Sequence, residues 1–545
     1  MMDAFNSNCP KLPWMVEFFS SEDVQVFKNQ MEAAFAETTL KHLSCLNMKS
    51  KPPVFRSTQL ICTMPLNVTC QTIEELIHLG ISVVRIVTPG NEKDKLLELV
   101  GKIRALVEVH SKKIGRIYPL AFALDIKGPE IRIGQLENKK NSLYLPKGKI
   151  TTLTTDETYQ EFVNEDMIFV DYQKLPEIIQ PGDTVLLDYG ALRLSAIEVA
   201  ESIVRCIVEK AGTVTGMSSV IIPNAFVELP TITDEDKEIL QLAINHHFDF
   251  IIVSGICTKE NLTDLKRIIG QDLDKIQLIA KIENSMAVEN IDDIIEHSDA
   301  ICIDCEGLLH DIPKEKVFLV QKSILAKCNL VGMPAICSTS IQNRTSLSKS
   351  EVCDIANCII DGVDALHINQ NVCTKEVVKE VSIVCKEAEP AVYQRQVFNE
   401  LVFTVSVPNE SIYSLCISVV EASLKVSAAA IICLTSSGRT AKLLSRFRPR
   451  CPIIVITRYP RVARLLRLYK GLDPIVYLKV FKGNYDQDIE ERIQLGITYG
   501  KIMGYIRMGD VLVSVSGSRS KTGVPNMMKI MYASDYDTLL KTVKF

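Results

Sequence analysis

Residues 249–304 read DFIIVSGICTKENLTDLKRIIGQDLDKIQLIAKIENSMAVENIDDIIEHSDAICID. Three short apolar runs, 249–254, 277–282 and 300–304, alternate with stretches of helical character. Continuous apolar, β-branched runs of this length suit strands buried on both faces. The same rhythm extends upstream through runs at 59–63, 83–88 and 120–125, and downstream through 334–339 and 365–368. Eight such strands, each followed by a helical pattern, predict an α/β fold of the (β/α)₈ barrel type. An open doubly wound sheet is the alternative, but it usually carries a Gly-rich turn after its first strand. Here the first run leads into Thr63-Met64-Pro65-Leu66, without glycine.

The rhythm breaks once. Residues 135–229 contain strand-like pieces at 150–154, 167–170, 184–187, 192–199 and 202–208, punctuated by Lys-Gly, Pro-Gly and Tyr-Gly pairs. They predict a small β-barrel lid domain inserted at the barrel's functional end, able to close over a ligand and exclude water. After Glu389-Pro390 a new α/β unit begins, with strands near 430–434, 452–457, 474–478 and 511–515. The expected organisation is an N-terminal helical extension (1–54), a barrel (55–134 and 230–394), the lid (135–229) and a C-terminal α/β domain (395–545). In the extension, Ser21 is set to cap an amphipathic helix with Asp23 in its first turn and Val24, Val26, Phe27, Met31 and Phe35 on its apolar side.

A length of 545 residues exceeds one hydrophobic core, in keeping with several domains. A net charge of -5 argues against a nucleic-acid binder. The 17 cysteines are spread along the chain, and several, such as Cys302, Cys433 and Cys451, sit in apolar runs. They read as small core residues in a reducing compartment. With no secretory signal pattern and no apolar stretch of membrane-spanning length, the expected location is the cytoplasm, with no membrane partner.

Barrel chemistry sits where strands end and the following loops begin. Those positions hold Thr63, Arg85, Asp125, Lys127, Ser254, Lys281, Glu283 and Thr339. Alternation sends Lys281 and Glu283 to one side of their strand. A lysine there can neutralise a developing oxyanion, and a carboxylate beside it can hold a divalent cation. Arg85 and Arg132 offer guanidinium groups suited to phosphate. A structural Lys–Glu pair closing the barrel top is the competing reading, but the company of Asp125, Lys127, Arg132 and Thr339 favours a site for a phosphorylated small molecule.

Residues 124–132, LDIKGPEIR, resemble the LDTKGPEIR segment of pyruvate kinases, and KIEN at 281–284 matches that family's KIEN. Supporting similarity runs through LICT at 60–63, LPTITDEDK at 229–237, IPKEKVFLVQK at 312–322, DIAN at 354–357 and RPRCPIIVITR at 448–458. On these motifs the chain is identified as a member of the pyruvate kinase family. The resemblance implies phosphoryl transfer from phosphoenolpyruvate to ADP, giving pyruvate and ATP, with Mg²⁺ or Mn²⁺ and K⁺, in a homo- or hetero-oligomer of related subunits. It casts Lys281, Arg85 and Thr339 as catalytic, and Arg132, Lys127 and Ser254 as substrate-binding. Glu283 becomes a divalent-metal ligand, and Asp125 and the Ile126 carbonyl become K⁺ ligands.

Several departures fall on that site. The family's ARGDLG reads Asp304-Cys305-Glu306-Gly307-Leu308-Leu309, so Gly307 replaces the second metal carboxylate and Glu306 lies one position out of register. The family's RxNFSHG reads Arg85-Ile86-Val87-Thr88-Pro89-Gly90-Asn91, which puts Val87 and Pro89 at K⁺-ligand positions and Gly90 at a nucleotide-contacting His. The SGET loop reads Asn369-Gln370-Asn371-Val372, the Gln after Thr339 is Ser340, and a nucleotide-facing Lys of the lid is absent from 216–224. Each loss of an electrostatic contact is worth roughly 10²–10³ in rate, so strong impairment is expected. A catalytically inactive assembly or regulatory partner is one alternative, a sugar-phosphate sensor another. Glu306 acting as a substitute metal ligand would preserve activity.

In the C-terminal domain, Thr435-Ser436-Ser437-Gly438-Arg439-Thr440 follows an apolar strand and opens a helical pattern. Alone it reads equally as an anion cradle or an ordinary helix cap. By resemblance it holds the phosphate of a sugar-bisphosphate effector, together with Arg492 and a closing loop containing Arg519 and Gly523. Seven arginines between Arg446 and Arg467 read as a solvated face with interdomain salt bridges, or, less favoured, as a nucleic-acid surface.

Overall fold

The structure, a computed structural model, describes residues 30–87, 93–137, 141–223, 229–230, 232–339, 341–342, 345–368, 373–481, 483–517 and 525–533. Eight parallel strands close into a barrel: Gln59–Thr63, Val83–Val87, Ala121–Ile126, Phe250–Val253, Gln277–Ile282, Ala300–Ile303, Ala335–Thr339 and Ala365–Ile368. Each pairs with its neighbour in this order, and the eighth pairs with the first. Nearly every strand position is buried. That burial explains why the strands read as unbroken apolar runs.

Alternation divides the strand residues between two cores. Leu60 and Cys62 pack outward among helix residues such as Ile73 and Leu76. Ile61, Val83, Ala123, Phe250, Ile252, Ile279, Ile336 and Ala365 fill the inside, in a cluster continuous with the core of the C-terminal domain. Burying one such large side chain contributes about 1.5–3 kcal/mol. The helices between strands start at legible signals. Thr233 and Asp236 form a reciprocal capping box at the head of Asp234–Asn245, and Ser348 with Glu351 does the same for Lys349–Ile360.

The lid carries a six-stranded sheet in the order Val220–Ile221, Thr184–Leu187, Leu192–Val199, Ile203–Lys210, Ile150–Thr154, Met167–Phe169, with a separate two-stranded ladder of Leu143–Leu145 and Gly212–Val214. It has its own core around Leu153, Ile168, Leu187 and Val204. Two isolated bridges, Arg132 with Ser219 and Ile133 with Val170, mark its attachment to the barrel.

The C-terminal sheet runs Leu472–Val476, Ile453–Thr457, Ala430–Leu434, Val511–Ser516, Met527–Tyr532, the last strand antiparallel. The strand expected at 474–478 begins two residues earlier. Ile453 pairs with Leu472, and Pro474 is tolerated because this is an edge strand. Arginines of the basic run tie this domain to the barrel. Arg448 meets Asp364 at 2.6 Å and Arg464 meets Asp249 at 2.9 Å, and both carboxylates are buried.

In the extension, Met31–Ala34 and Thr39–Ser44 are short helices. Ser21, Asp23, Val24, Val26 and Phe27 lie outside the described residues. All described cysteines are free thiols, with Cys302, Cys433 and Cys451 buried. Among the described residues no helix is long and apolar enough to cross a membrane.

Candidate active site

At the carboxyl ends of the barrel strands a cavity of about 890 Å³ opens beneath the lid. Strand parity decides what faces it. Counting two residues on from inward apolar positions leads from Ile61 to Thr63, Val83 to Arg85, Ala123 to Asp125, Ile279 to Lys281, Cys302 to Asp304, Ile336 to Ser338 and Ala365 to His367. With Ser254 two residues on from Ile252, all eight strands contribute to a polar layer above the apolar interior.

Two ion clusters organise that layer. Lys281 Nζ donates to Glu283 Oε2 at 2.7 Å and to Asp304 Oδ2 at 2.8 Å. The remaining Glu283 oxygen, Oε1, accepts the Gly255 N–H at 2.7 Å. Asp304 also caps the helix Cys305–Asp311 by accepting the Gly307 N–H at 3.4 Å. Burial pushes the Lys281 ammonium down, but the charges of Glu283, Asp304 and Asp125 outweigh it and hold the group well above its ordinary range. Burial likewise works to raise Asp304, and Lys281 reverses the balance and lowers it.

In the second cluster Arg85 Nε donates to Asp125 Oδ2 at 2.6 Å, and its Nη2 reaches the same oxygen. The Arg85 Nη1 donates to Thr63 Oγ1 at 2.9 Å and to His367 Nε2 at 3.2 Å. A guanidinium is only a donor, so Nε2 of His367 accepts, and the proton sits on Nδ1. That Nδ1–H donates to Ser338 Oγ at 3.0 Å. Burial, reinforced by the Arg85 charge, holds the imidazole well below its usual range, so it stays neutral at physiological pH.

The sequence-derived residues fall into two groups. Lys281, Glu283, Arg85, Asp125 and Glu306 line the cavity. Lys127 is exposed and does not line it. Arg132 turns to the lid junction, where it pairs with Glu130 at 2.8 Å. Ser254 is buried, and its N–H donates to the Ile126 carbonyl at 3.2 Å, so that carbonyl already has a protein donor. Thr339 has the opposite parity to Ser338; it is buried, and its hydroxyl donates to the His367 carbonyl at 2.8 Å. Three residues of the polar layer that line the cavity escaped the sequence reading: Asp304, Ser338 and His367. Parity counted from the inward apolar residues would have found each.

The side chains at the mouth do not fit the divalent cation that the family resemblance implies. Gly307 offers no oxygen and has no room for one: a Cβ there would lie 2.7 Å from the Glu283 Cβ. Glu306 sits exposed in the first turn of the helix Cys305–Asp311. One residue along a helix is a turn of about 100°, so its side chain leaves in a different direction from Gly307. The two carboxylates that do converge, Glu283 and Asp304, close on the Lys281 ammonium. Among the described residues no group of three His, Cys, Asp or Glu side chains is placed to hold a metal. The K⁺ set fares similarly: Val87 lacks a side-chain oxygen, and Asp125 is engaged by Arg85. Pro89, Gly90, Ser340 and 369–372 lie outside the described residues.

At the remote C-terminal loop, Thr435 Oγ1 accepts the Gly438 N–H at 2.9 Å, and Gly438 (φ 85°) caps the helix Arg439–Arg446 in a left-handed conformation. Ser436 and Ser437 are exposed, Thr440 is buried, and Arg439 pairs with Glu410 at 2.6 Å. Arg492 pairs with Asp488 at 2.8 Å. Arg519 and Gly523 lie outside the described residues.

A lidded (β/α)₈ barrel whose mouth gathers lysine, arginine and carboxylates, with a separate α/β domain docked at its base, defines the class: a multi-domain barrel protein with a charged, cavity-bearing mouth. The family pattern described as pyruvate kinase, barrel domain, matches residues 55–375, and that described as pyruvate kinase, alpha/beta domain, matches 413–531. Pyruvate kinase PKLR of Homo sapiens is 32% identical over 517 residues, covering 93% of this chain and 90% of that protein. The pyruvate kinase of Candida albicans is 30% identical, covering 91% and 100%, and pyruvate kinase 1 of Trypanosoma brucei brucei is 29% identical, covering 90% and 99%. The chain belongs to the pyruvate kinase family. At the level of that family the reaction is phosphoryl transfer from phosphoenolpyruvate to ADP, normally with Mg²⁺ and K⁺.

Proposed function

We propose that this chain is a pyruvate kinase-type protein in which the family reaction is strongly impaired. The supporting observation is that protein cations stand against the carboxylates that inorganic cations would need. Lys281 bridges Glu283 and Asp304, and Arg85 is paired to Asp125. Phosphoryl transfer depends on positioning and on neutralising charge at the moving group. In this arrangement the cationic groups begin the reaction already neutralised by neighbours, and a divalent ion has to displace an ammonium to reach two oxygens. Such losses do not add within one catalytic unit, so a single remaining cation does not restore the rate.

Substrate-type ligands still have partners. Ser338, with its oxygen accepting from His367, has its own O–H to donate into the cavity, and Lys281 and Arg85 line the same space. Regulation of a related active subunit by co-assembly, or sugar-phosphate sensing through 435–440 and Arg492, follows from this reading as the biological use. Purified protein assayed with phosphoenolpyruvate, ADP, Mg²⁺ or Mn²⁺ and K⁺ tests it. Turnover at least about 100-fold below the ordinary enzyme range of 1–10³ s⁻¹ is expected. Turnover within that range rejects the proposal.

A further inference from the structure

A second cavity, of about 450 Å³, lies at the other end of the barrel. Its wall includes Ser57, just ahead of the first strand, and Asp361 and Gly362, just ahead of the eighth, so it sits at the strands' amino ends. The C-terminal domain closes it with residues 445, 448–450, 452 and 470–471. Much of the wall is apolar, with Val54, Phe55, Leu330, Ile360, Val397 and Leu401.

The charged groups of this seam are mostly consumed. Both oxygens of Glu389 accept backbone N–H groups, from Ser57 at 2.8 Å and Thr58 at 2.7 Å. Arg448 holds Asp364 through two contacts of 2.6 and 2.9 Å, and donates further to the Asn329 side chain and the Gly362 carbonyl. Lys470 is different. An ammonium carries three N–H donors, and the one side-chain hydrogen bond of Lys470 among the described residues is to the Ile359 carbonyl, at a long 3.4 Å. Burial pushes this amine down to about 8; the neighbouring Arg448 charge acts in the same direction, and the Glu389 and Asp364 carboxylates oppose it. A cation short of acceptors beside an apolar wall is costly without a partner.

We propose that this seam is a binding site for a small apolar monocarboxylate, its acid group on Lys470 Nζ and its hydrocarbon body against Phe55, Leu330 and Leu401. The volume falls within the range of small-molecule pockets, whose usual make-up is an apolar lining with few oriented polar groups. The Lys470 ammonium, short of acceptors, matches a carboxylate, and the Arg450 guanidinium on the same wall adds positive charge. A ligand here touches the barrel base and the C-terminal domain together, so its binding stabilises their junction. The site shares no residue with the mouth and does not depend on the catalytic reading.

The full-length protein is titrated with octanoate and phenylacetate, with octanol and phenylacetamide as neutral controls. Lysine accessibility is read by reductive methylation at pH 8 and peptide mass spectrometry. Either acid at ten times its Kd lowers Lys470 labelling about tenfold, leaves exposed lysines such as Lys102 and Lys112 unchanged, and raises the melting temperature. The neutral controls do neither. Lys470→Met keeps the aliphatic stem and loses the thermal response. The proposal is overturned if neither acid protects Lys470, if the neutral molecules protect it equally, or if folded K470M responds as the unaltered chain does. Should K470M not fold, the protection pattern on the unaltered chain decides alone.

Discussion

Replacing Lys281 with methionine removes one positive charge and leaves Glu283 and Asp304 facing each other without their shared partner. All three side chains are largely enclosed, with exposures of 18%, 24% and 16%. Breaking a buried ion pair by deleting one partner costs about 3–5 kcal/mol, and the residual exposure here argues for the lower end. For cooperative units of 150–250 residues each kcal/mol shifts the midpoint by about 2–4 °C. A fall of roughly 6–12 °C in the barrel transition is therefore expected. The same change frees two converging carboxylates for a divalent ion. Adding Mn²⁺ at 100 times its Kd returns about 2.7 kcal/mol, most of the loss. Differential scanning calorimetry of K281M and the unaltered chain, each with and without Mn²⁺, reads both effects. The reasoning is refuted if the unaltered chain gains as much from Mn²⁺ as K281M does, or if K281M melts unchanged.

Three further outcomes follow from particular contacts. Gly307→Asp does not restore a metal ligand, because its Cβ meets Glu283 at 2.7 Å; it should lower stability by about 1–3 kcal/mol as an overpacked position, seen in the denaturant midpoint. Arg448→Ala leaves Asp364 buried without its bidentate partner and is expected to cost about 3–5 kcal/mol, with the barrel and C-terminal transitions separating in calorimetry. His367 has a folded-state pKa well below 6.5, so between the two values the unfolded chain binds the extra proton. Stability therefore falls as pH drops through about 6.5, by up to about 1.4 kcal/mol per pH unit, and is flat above it as far as this group is concerned. His367→Asn should flatten that acid limb; an unchanged limb in urea unfolding at pH 5–7 counts against the neutral, buried imidazole.

The barrel was legible because strands buried on both faces, such as 250–253 and 300–303, have no charged or strongly polar residue to disguise them. The lid was equally readable from its turn pairs. Met527–Tyr532 escaped notice: it is an exposed edge strand, and Met-Met-Lys-Ile-Met-Tyr shows no alternation of burial. At the site, Lys281 and Glu283 were found because charges directly after an apolar strand are conspicuous. Asp304 was passed over as the unremarkable start of an altered motif, although the capping geometry of Cys305–Asp311 and its inward parity bring its carboxylate to Lys281. Thr339 and Ser338 show the limit of sequence distance alone. One residue of offset sends the first to a backbone carbonyl and the second to the cavity. Which partners satisfy Arg85 is a matter of four strands meeting, and no local pattern records it.

The protein's own ammonium holds the place between Glu283 and Asp304. Electron paramagnetic resonance of free Mn²⁺, titrated against the unaltered chain with phosphoenolpyruvate present, measures it directly. No site tighter than about 1 mM, a standard binding energy near -4 kcal/mol, is expected. One Mn²⁺ per chain held at micromolar concentration would contradict it.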